Sequence, residues 1–546
     1  MSAASDTDTD TDDEIASLFR PTNRDDLVLS LDEIVLNNHQ DEDIACYVNY
    51  CYSLCNDDNS IHIPMIATLQ FDDVFKVVNH DDVTLHKILL CIGLCKLTWY
   101  WMGFAAKRIV IKENVHKNIY LLNEMIDQFW NNFYNKILLE FVYVHRNYVV
   151  ENLLPLIIVL ENFDINKSYT NTTSHSKIRY RHDHKKRNVL VPLGGGKDSL
   201  VVWKLAMDSE SNPTLLYVSD NKTEYENNSR IRSIVAETKC NVIVLHHNFD
   251  SDAFERNAAS YLKPTGHPWA ALVLFDSVLV SYLNNFNEVH FGYEKSANEG
   301  NNVFVKDVEV NHQYDKSSDF LALAQEFVLR YIATANRSQN GRRETCFSVQ
   351  LLSPIHHLME LEISRYFTSE LENFFPLFLS CNEPTNYMDW CCKCDKCIFI
   401  GLIMSAFLSP VQVVSIFKQN LFDNIKLLQK YKILIGKHNT ITMKPFECVG
   451  TIDEARAATH LTFLRHIEHI IKFEKNDNDN DTYNYKTSNN RIMQLRKFCI
   501  ENKIDNLMLP TCLYEISKDL NLIDNYNNAN LEMLLHDDEI VKLYLC

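Results

Sequence analysis

The chain has 546 residues, of which 46% are hydrophobic and 23% are charged. This composition is typical of globular proteins and excludes a disordered or fibrous class, and the length predicts roughly two to four domains. A formal net charge of −19 repels polyanions, so nucleic acid is not a favoured partner. Its 16 cysteines are too sparse for a small disulfide scaffold, which indicates a reducing, cytoplasmic compartment.

The N-terminal part of the chain has an acidic start and a long apolar stretch. The first residues alternate Asp with Ser and Thr and have no apolar core, so we expect a disordered acidic tail over residues 1–24 and no secretion signal. Residues 25–165 predict a helical N-terminal domain. Within it, residues 88–106 are long enough to span a bilayer, but a central Lys96 would cost about 2.5–3.5 kcal/mol there. We therefore predict a buried helix and no membrane partner.

The rest of the chain divides by composition into four segments. Residues 166–187 are polar and basic and predict an exposed linker. Over residues 188–345 apolar runs of strand length alternate with helical patterns, which predicts an α/β fold with a parallel sheet that binds ligands at the carboxyl ends of its strands. Residues 346–460 predict a helical region with a cysteine cluster, and a family resemblance of its motifs implies that it also contributes to a substrate site. Residues 461–546 predict a helical C-terminal extension with an Asn/Asp-rich loop at 474–490.

Three of the chain's 12 glycines are consecutive, directly after a predicted strand and before a predicted helix: Gly194, Gly195 and Gly196. Glycines let the backbone approach a ligand closely, and the helix N-terminus attracts an anion. We therefore expect a phosphate-binding loop. Lys197 would add a cation, Asp198 a carboxylate able to hold Mg²⁺, and Ser199 a hydroxyl. A Walker A loop is excluded, because it would need Ser or Thr directly after the lysine.

Gly-Gly-Gly-Lys-Asp-Ser after a strand resembles the PP-loop of the N-type ATP pyrophosphatases, with Gly194 in place of the usual serine. The resemblance implies an α/β fold with a PP-loop (adenine nucleotide alpha hydrolase-like) core, flanked here by helical N-terminal and C-terminal regions. It also implies that ATP is cleaved to AMP and pyrophosphate. By the same analogy, Ser219 and Asp220, at the end of the second strand, would lie near the adenosine.

Four cysteines form a C-x9-C-x2-C-x2-C pattern: Cys381, Cys391, Cys394 and Cys397. This spacing suits a tetrahedral structural Zn²⁺ site. An iron–sulfur cluster, a redox pair and plain buried cysteines remain alternatives. Cys392 is adjacent but does not fit the spacing, so it is left out of the ligand set, with substitution for Cys391 as the alternative.

Several longer segments, in the same order, resemble the bacterial UDP-N-acetylmuramoyl-L-alanyl-L-glutamate epimerases. They lie between residues 120 and 460 and are residues 266–268 (Gly-His-Pro), 292–301, 310–314 with 316–317 (Lys-Ser), 380–382, 390–397 and 444–451 (Lys-Pro-Phe-Glu-Cys-Val-Gly-Thr). The likeness implies that the protein adenylates a terminal L-glutamate with ATP and Mg²⁺, inverts its α-carbon and releases AMP and pyrophosphate. Its partner would be a nucleotide-sugar peptide or another small carboxylate substrate.

Inversion needs a base on one face of the α-carbon and an acid on the other. The matching segments contain five residues able to transfer protons: His267, Glu294, His312, Glu447 and Cys448. Ordinary hydrogen-bonded histidines and a buried apolar cysteine remain open alternatives. The amides Asn298, Asn301 and Asn311 are expected to bind substrate or to hold the loop. Two other functions remain open, an adenylating ligase or RNA-modifying PP-loop enzyme and a nucleotide-binding module without catalysis. The oligomeric state is not predicted.

Overall fold

The computed structural model of the protein describes residues 27–37, 47–56, 61–71, 82–116, 119, 122–146, 157–162, 187–209, 211–255, 266–333, 347–384, 387–437, 443–474 and 509–522. The predicted acidic tail (1–24), residues 166–186 of the predicted linker and residues 475–490 of the Asn/Asp-rich loop lie outside this part of the chain.

The described residues form twelve strands, of which ten belong to one large sheet. The strands in chain order are β1 (Val28–Asn37), β2 (Tyr47–Cys55), β3 (His62–Phe71), β4 (Arg108–Ile111), β5 (Ile157–Leu160), β6 (Val189–Pro192), β7 (Thr214–Ser219), β8 (Val242–Asn248), β9 (Glu288–His290), β10 (Phe304–Val305), β11 (Val308–Glu309) and β12 (Gln350–Leu352). The order in the large sheet is β12-β9-β6-β7-β8-β3-β2-β1-β4-β5, and β10 pairs with β11 in a separate hairpin.

Five neighbouring strands, β8, β7, β6, β9 and β12, are all parallel. The chain starts this part of the sheet at β6, adds β7 and β8 on one side and then adds β9 and β12 on the other. The direction of winding therefore reverses between β6 and β9. Such a switch point opens a crevice at the carboxyl ends of the two strands, and this crevice is the usual ligand site of open α/β sheets.

The N-terminal region extends the same sheet, and the prediction of a helical region there is wrong. Strand β3 pairs antiparallel with β8, β2 and β1 follow antiparallel, and β4 and β5 run parallel to β1. In β2 every second residue is buried, as Val48, Tyr50, Tyr52 and Leu54 show. A period of two is the mark of a strand with one buried face, and the sequence analysis overlooked it.

Helices cover both faces of the sheet. They are Val83–Phe104, Glu113–His116, Leu122–Met125, Asn131–Ile137, Leu139–Val144, Lys197–Asp208, Lys222–Asn227, Ser229–Thr238, Asp252–Glu255, Trp269–Asn284, Ser318–Phe327, Glu360–Glu370, Asp395–Ser405, Pro410–Phe417, Leu428–Leu434, Ile452–Glu474 and Thr511–Asp519. In β6, Leu190 joins the core on one face, whereas Val189 and Val191 join the core on the other. This burial on both faces explains why the strand is a continuous apolar run. A mixed α/β fold with a mostly parallel sheet is thus confirmed.

The predicted buried helix is also confirmed. Helix Val83–Phe104 has the length and composition to cross a membrane, yet 78% of its most apolar window is buried inside the protein. Lys96 is fully buried at its centre, where Nζ donates to the Thr68 carbonyl at 3.1 Å and lies 4.3 Å from the ring centre of Phe249. Burial lowers the pKa of Lys96 to about 7.

Candidate active site

The glycine loop lies at the switch point, between β6 and helix Lys197–Asp208. Gly195 has a φ of +78°, and a Cβ there would lie 2.7 Å from Arg230 Nη1. Its carbonyl accepts hydrogen bonds from Leu379 N at 2.9 Å and from Arg230 Nη1 at 3.3 Å. A Cβ on Gly194, in contrast, would meet no described atom within 4 Å. The middle glycine is therefore required by the backbone, whereas the first one is not.

The helix after the loop begins without a capping side chain, because its N-cap residue is Gly196. The first-turn N–H groups and the helix dipole make such a start suitable for an anion. Ser199 Oγ donates to the Gly196 carbonyl at 3.1 Å, so its hydroxyl lies beside the loop. A phosphate group would suit this position.

Lys197 does not extend from the loop as a free cation. Its side chain is fully buried, and Nζ contacts the carboxylates of both Asp198 and Glu360. Lys396 Nζ approaches the other Glu360 oxygen at 3.3 Å. Burial alone would raise the pKa of Glu360, but the two lysines lower it to about 2. The loop is thus anchored by a buried network of two cations and two carboxylates, of which Glu360 and Lys396 were not identified from the sequence.

The segment after β9 touches the glycine loop. A Cβ on Gly292 would lie 3.2 Å from Asp198 Cβ and 3.3 Å from Ser199 N, so a side chain at position 292 would be crowded there. Two residues later, Glu294 is buried at 5% exposure. Burial, with the nearby charges of Glu360 and Asp198, raises the pKa of Glu294 to about 8. A carboxyl group suited to proton transfer near neutral pH therefore lies beside the loop.

Cys448 and His312, both predicted site residues, form a cluster with Lys316 and Glu140. Lys316 Nζ lies 3.0 Å from Cys448 Sγ, and His312 interacts electrostatically with the same sulfur. His312 Nδ1 lies 2.6 Å from Glu140 Oε2. Burial opposes the thiolate, but Lys316 and His312 outweigh it and hold the pKa of Cys448 well below its usual range. The arrangement is that of an activated thiolate with an oriented imidazole.

Two amides hold the Cys448 segment in place. Asn301 Nδ2 donates to the carbonyls of Lys444 and Pro445 at 3.1 and 2.9 Å, and its oxygen accepts from His312 N at 2.7 Å. Gln313 Nε2 donates to the Val449 carbonyl at 3.1 Å. These bonds connect the two predicted segments, 310–314 and 444–451. The positioning function expected of Asn301 is thus visible in its contacts.

Two other predicted acid–base residues, His267 and Glu447, have contacts of a different kind. His267 packs among aromatic rings, with centroid distances of 5.5 Å to both Trp99 and Phe249, and burial lowers its pKa to about 3. Glu447 accepts backbone N–H bonds from Lys396 at 2.6 Å and Asp395 at 3.3 Å, so it caps helix Asp395–Ser405. Their contacts favour packing for His267 and capping for Glu447.

The residues predicted to lie near adenosine are at the end of β7. Ser219 Oγ shares a hydrogen bond with His246 Nδ1 at 2.6 Å and donates to the Asn221 carbonyl at 2.9 Å. Asp220 is exposed. The hydroxyl is thus engaged within the protein, whereas the carboxylate is accessible to a ligand.

The four predicted cysteine ligands converge, since their sulfur atoms all lie within 4.8 Å of one another. Cys381 and Cys394 Sγ are 4.0 Å apart, and Cys391 and Cys397 Sγ are 3.7 Å apart. Zn–S bonds of about 2.3 Å in a tetrahedron place ligand sulfurs roughly 3.8 Å apart, so the residues fit the ion. Cys392 instead points into the core, with Sγ 3.5 Å from the Phe417 carbonyl.

The cysteine cluster is adjacent to the glycine loop. Ser380, next to Cys381, lies so close to Gly196 that a Cβ on that glycine would be 2.7 Å from Ser380 Oγ. Lys396, between two of the cysteines, reaches Glu360. A metal bound there would hold both contacts in place.

The fold and these contacts define a mixed α/β protein with a glycine loop at a switch point of its sheet and a cluster formed by Cys448, His312, Glu140 and Lys316. Family models of the MurL N-terminal domain and the MurL C-terminal domain match residues 35–338 and 377–471. The chain therefore belongs to the MurL family.

Three relatives carry the name UDP-N-acetyl-alpha-D-muramoyl-L-alanyl-L-glutamate epimerase. The protein from Xanthomonas oryzae pv. oryzae is 30% identical over 50% of this chain and 56% of the relative. Those from a Micromonospora species and from Salinispora tropica are 28% and 27% identical, each over 51% of this chain and over 58% and 56% of the relative. The chain thus spans about half the length of the curated relatives it matches.

Proposed function

We propose that the protein is an ATP-dependent epimerase. It adenylates the terminal L-glutamate carboxylate of UDP-N-acetylmuramoyl-L-alanyl-L-glutamate, or of a related peptide, inverts the α-carbon and releases AMP and pyrophosphate. The observation that carries the proposal is the contact between the glycine loop and the segment with Glu294, where Gly292 abuts Asp198. This contact would put an activated carboxylate beside a group able to remove its α-proton. The names of the relatives support the substrate class.

In this proposal the loop of residues 194–196 and the first-turn N–H groups of its helix bind the ATP phosphates. Asp198 would hold Mg²⁺ and Ser199 would donate to a phosphate oxygen, and the ion would neutralise charge on the leaving pyrophosphate. Lys197 contributes through the Glu360 network rather than by direct contact. Asp220, exposed at the end of β7, is available to the nucleoside.

Adenylation makes the inversion chemically accessible. A free carboxylate opposes the formation of a carbanion beside it, whereas an acyl group accepts enolate charge. Glu294 would remove the α-proton, because a carboxyl pKa of about 8 gives it substantial proton affinity. The imidazolium of His312, which is hydrogen-bonded to Glu140, would return a proton.

A structural zinc ion bound by the four cysteines completes the proposal. It would fix Ser380 against the loop and Lys396 against Glu360, and it takes no part in the reaction. We expect the protein to act in the cytoplasm, on a small-molecule substrate.

The test is a product analysis with purified protein, ATP, Mg²⁺ and UDP-N-acetylmuramoyl-L-alanyl-L-glutamate. We expect AMP and pyrophosphate only when the carboxylate substrate is present, and their loss in Asp198→Ala and Ser199→Ala. Release of ADP and phosphate would contradict the assignment of the loop. Stable attachment of an added amine to the substrate would favour an adenylating ligase instead.

A further inference from the structure

The proposed function leaves Cys448 without a chemical step, although its surroundings are specific. The residue is partly exposed. Sγ receives a hydrogen bond from Lys316 at 3.0 Å, His312 interacts electrostatically with the sulfur, and Glu140 Oε2 lies 2.6 Å from His312 Nδ1. The side-chain amides of Asn301 and Gln313 donate to backbone carbonyls on either side of the cysteine and fix its segment. A nucleophile, an imidazole and an orienting carboxylate recur in acyl-transfer sites on unrelated folds.

We propose that Cys448 is a catalytic nucleophile that takes the glutamyl acyl group from the adenylate as a thioester, and that inversion occurs on this thioester. This inference rests on the proposed function and adds a covalent step to it.

The surroundings of Cys448 favour a nucleophile over a base. Lys316, His312 and, at longer range, Lys396 place positive charge around the sulfur and stabilise the thiolate. When the pKa of a thiol falls, the proton affinity of its thiolate falls by the same factor as the acid constant rises. The nucleophilicity of the thiolate falls less, because its logarithm changes by only about 0.4–0.5 for each pKa unit. A thiolate held in this way is a weak base but remains a competent nucleophile. Glu294 is the stronger base of the two, since its environment raises its pKa and therefore its affinity for a proton.

The step balances without a redox partner. The Cys448 thiolate attacks the acyl carbon, a C–S bond forms, and the C–O bond to AMP breaks with AMP taking the electron pair. Lys316 loses its thiolate partner at that moment and can stabilise the developing oxyanion. Glu294 then takes the α-proton, and the electron pair moves onto the thioester oxygen. After His312 returns a proton to the α-carbon, water cleaves the C–S bond and regenerates the carboxylate and the thiol.

Single-turnover labelling tests the proposal. Excess full-length protein is mixed with ATP, Mg²⁺ and UDP-N-acetylmuramoyl-L-alanyl-L-glutamate radiolabelled in the glutamate, then quenched in acid at successive times. We expect transient label on the peptide that contains Cys448, with a mass increase equal to the substrate minus water. Neutral hydroxylamine should release this label as the hydroxamate. Cys55→Ala, altered at the end of β2, should behave as the parent.

Two variants make the test decisive. Cys448→Ala should carry no label and form the D-glutamyl product at least about 100-fold more slowly. Cys448→Ser should hold the label longer, because an oxygen ester resists hydrolysis more than a thioester. Product formation by the parent with no label at any time, together with no label on Cys448→Ser, overturns the proposal. Absence of substrate-dependent ATP–pyrophosphate exchange in the parent would instead overturn the proposed function.

Discussion

His312 Nδ1 lies 2.6 Å from Glu140 Oε2, although 172 residues separate the two along the chain. The contact joins a helix of the N-terminal region, Leu139–Val144, to the segment that follows β11. His312 also interacts electrostatically with Cys448, so Glu140 is linked to the cysteine through the imidazole. The N-terminal region is therefore part of the site.

Replacing Glu140 should change the titration of Cys448. Burial opposes protonation of His312, but Cys448 and Glu140 raise its pKa to about 10. In Glu140→Gln the His312 pKa should fall, so the imidazolium is lost at lower pH and the pKa of Cys448 rises. The pH profile for alkylation of Cys448 by iodoacetamide should therefore move to higher pH. Glu288→Gln, which removes a similar carboxylate at 3.0 Å from His290, should leave the profile unchanged. An unaltered profile in Glu140→Gln would show that the contact does not control Cys448.

The Glu360 network should dominate the stability of the loop. Glu360→Gln leaves two buried lysines without their shared carboxylate, and breaking a buried ion pair costs about 3–5 kcal/mol. Urea denaturation should show this loss. Lys204→Ala removes a partly exposed pair with Asp208 on the loop helix, and it should cost less than about 1 kcal/mol. Equal losses in the two variants would contradict the assigned role of the network.

Two of the loop glycines, Gly194 and Gly195, should respond differently to alanine. Gly195→Ala places a Cβ at positive φ and 2.7 Å from Arg230, so it should lose at least about 1–2 kcal/mol of stability. Gly194→Ala meets open space and should change stability by less than about 0.5 kcal/mol. Thermal denaturation compares the two proteins. A stability loss in Gly194→Ala as large as that in Gly195→Ala would be inconsistent with this loop geometry.

The cysteine cluster predicts one zinc ion per chain. Elemental analysis should find it in the parent, and Cys394→Ser should lower its occupancy because one thiolate is lost. Cys392→Ala should retain the ion, since Cys392 points into the core. A zinc-free parent purified without chelators would refute the site, and iron with an absorbing cluster would favour the iron–sulfur alternative.

Local patterns explain what the sequence could predict. The glycine loop and the cysteine cluster are short and continuous, and the structure brings their residues together as expected. The structure also brings together His312 and Cys448, two candidate residues that lie in segments with a family resemblance. The prediction of a helical N-terminal domain missed β1–β3, although the alternation of β3 was present in the sequence pattern.

The remaining site residues had no local signal. Glu140 lies in an apolar helical stretch, and nothing near it in sequence reveals a partner 172 residues away. Glu360 and Lys396 likewise acquire their roles only when their helices meet beneath the loop. Lys197 was identified as a loop residue, but the direction of its side chain was not predicted. Its ammonium group contacts the buried carboxylate of Glu360, which the local sequence does not reveal.

The most direct test of the central claim is deuterium incorporation in heavy water. Protein, ATP, Mg²⁺ and UDP-N-acetylmuramoyl-L-alanyl-L-glutamate are incubated, and the glutamate is recovered for mass and chiral analysis. We predict ATP-dependent formation of the D-isomer with deuterium on its α-carbon, and strong loss of both in Glu294→Gln. Cleavage of ATP with recovery of undeuterated L-glutamate alone would contradict the account.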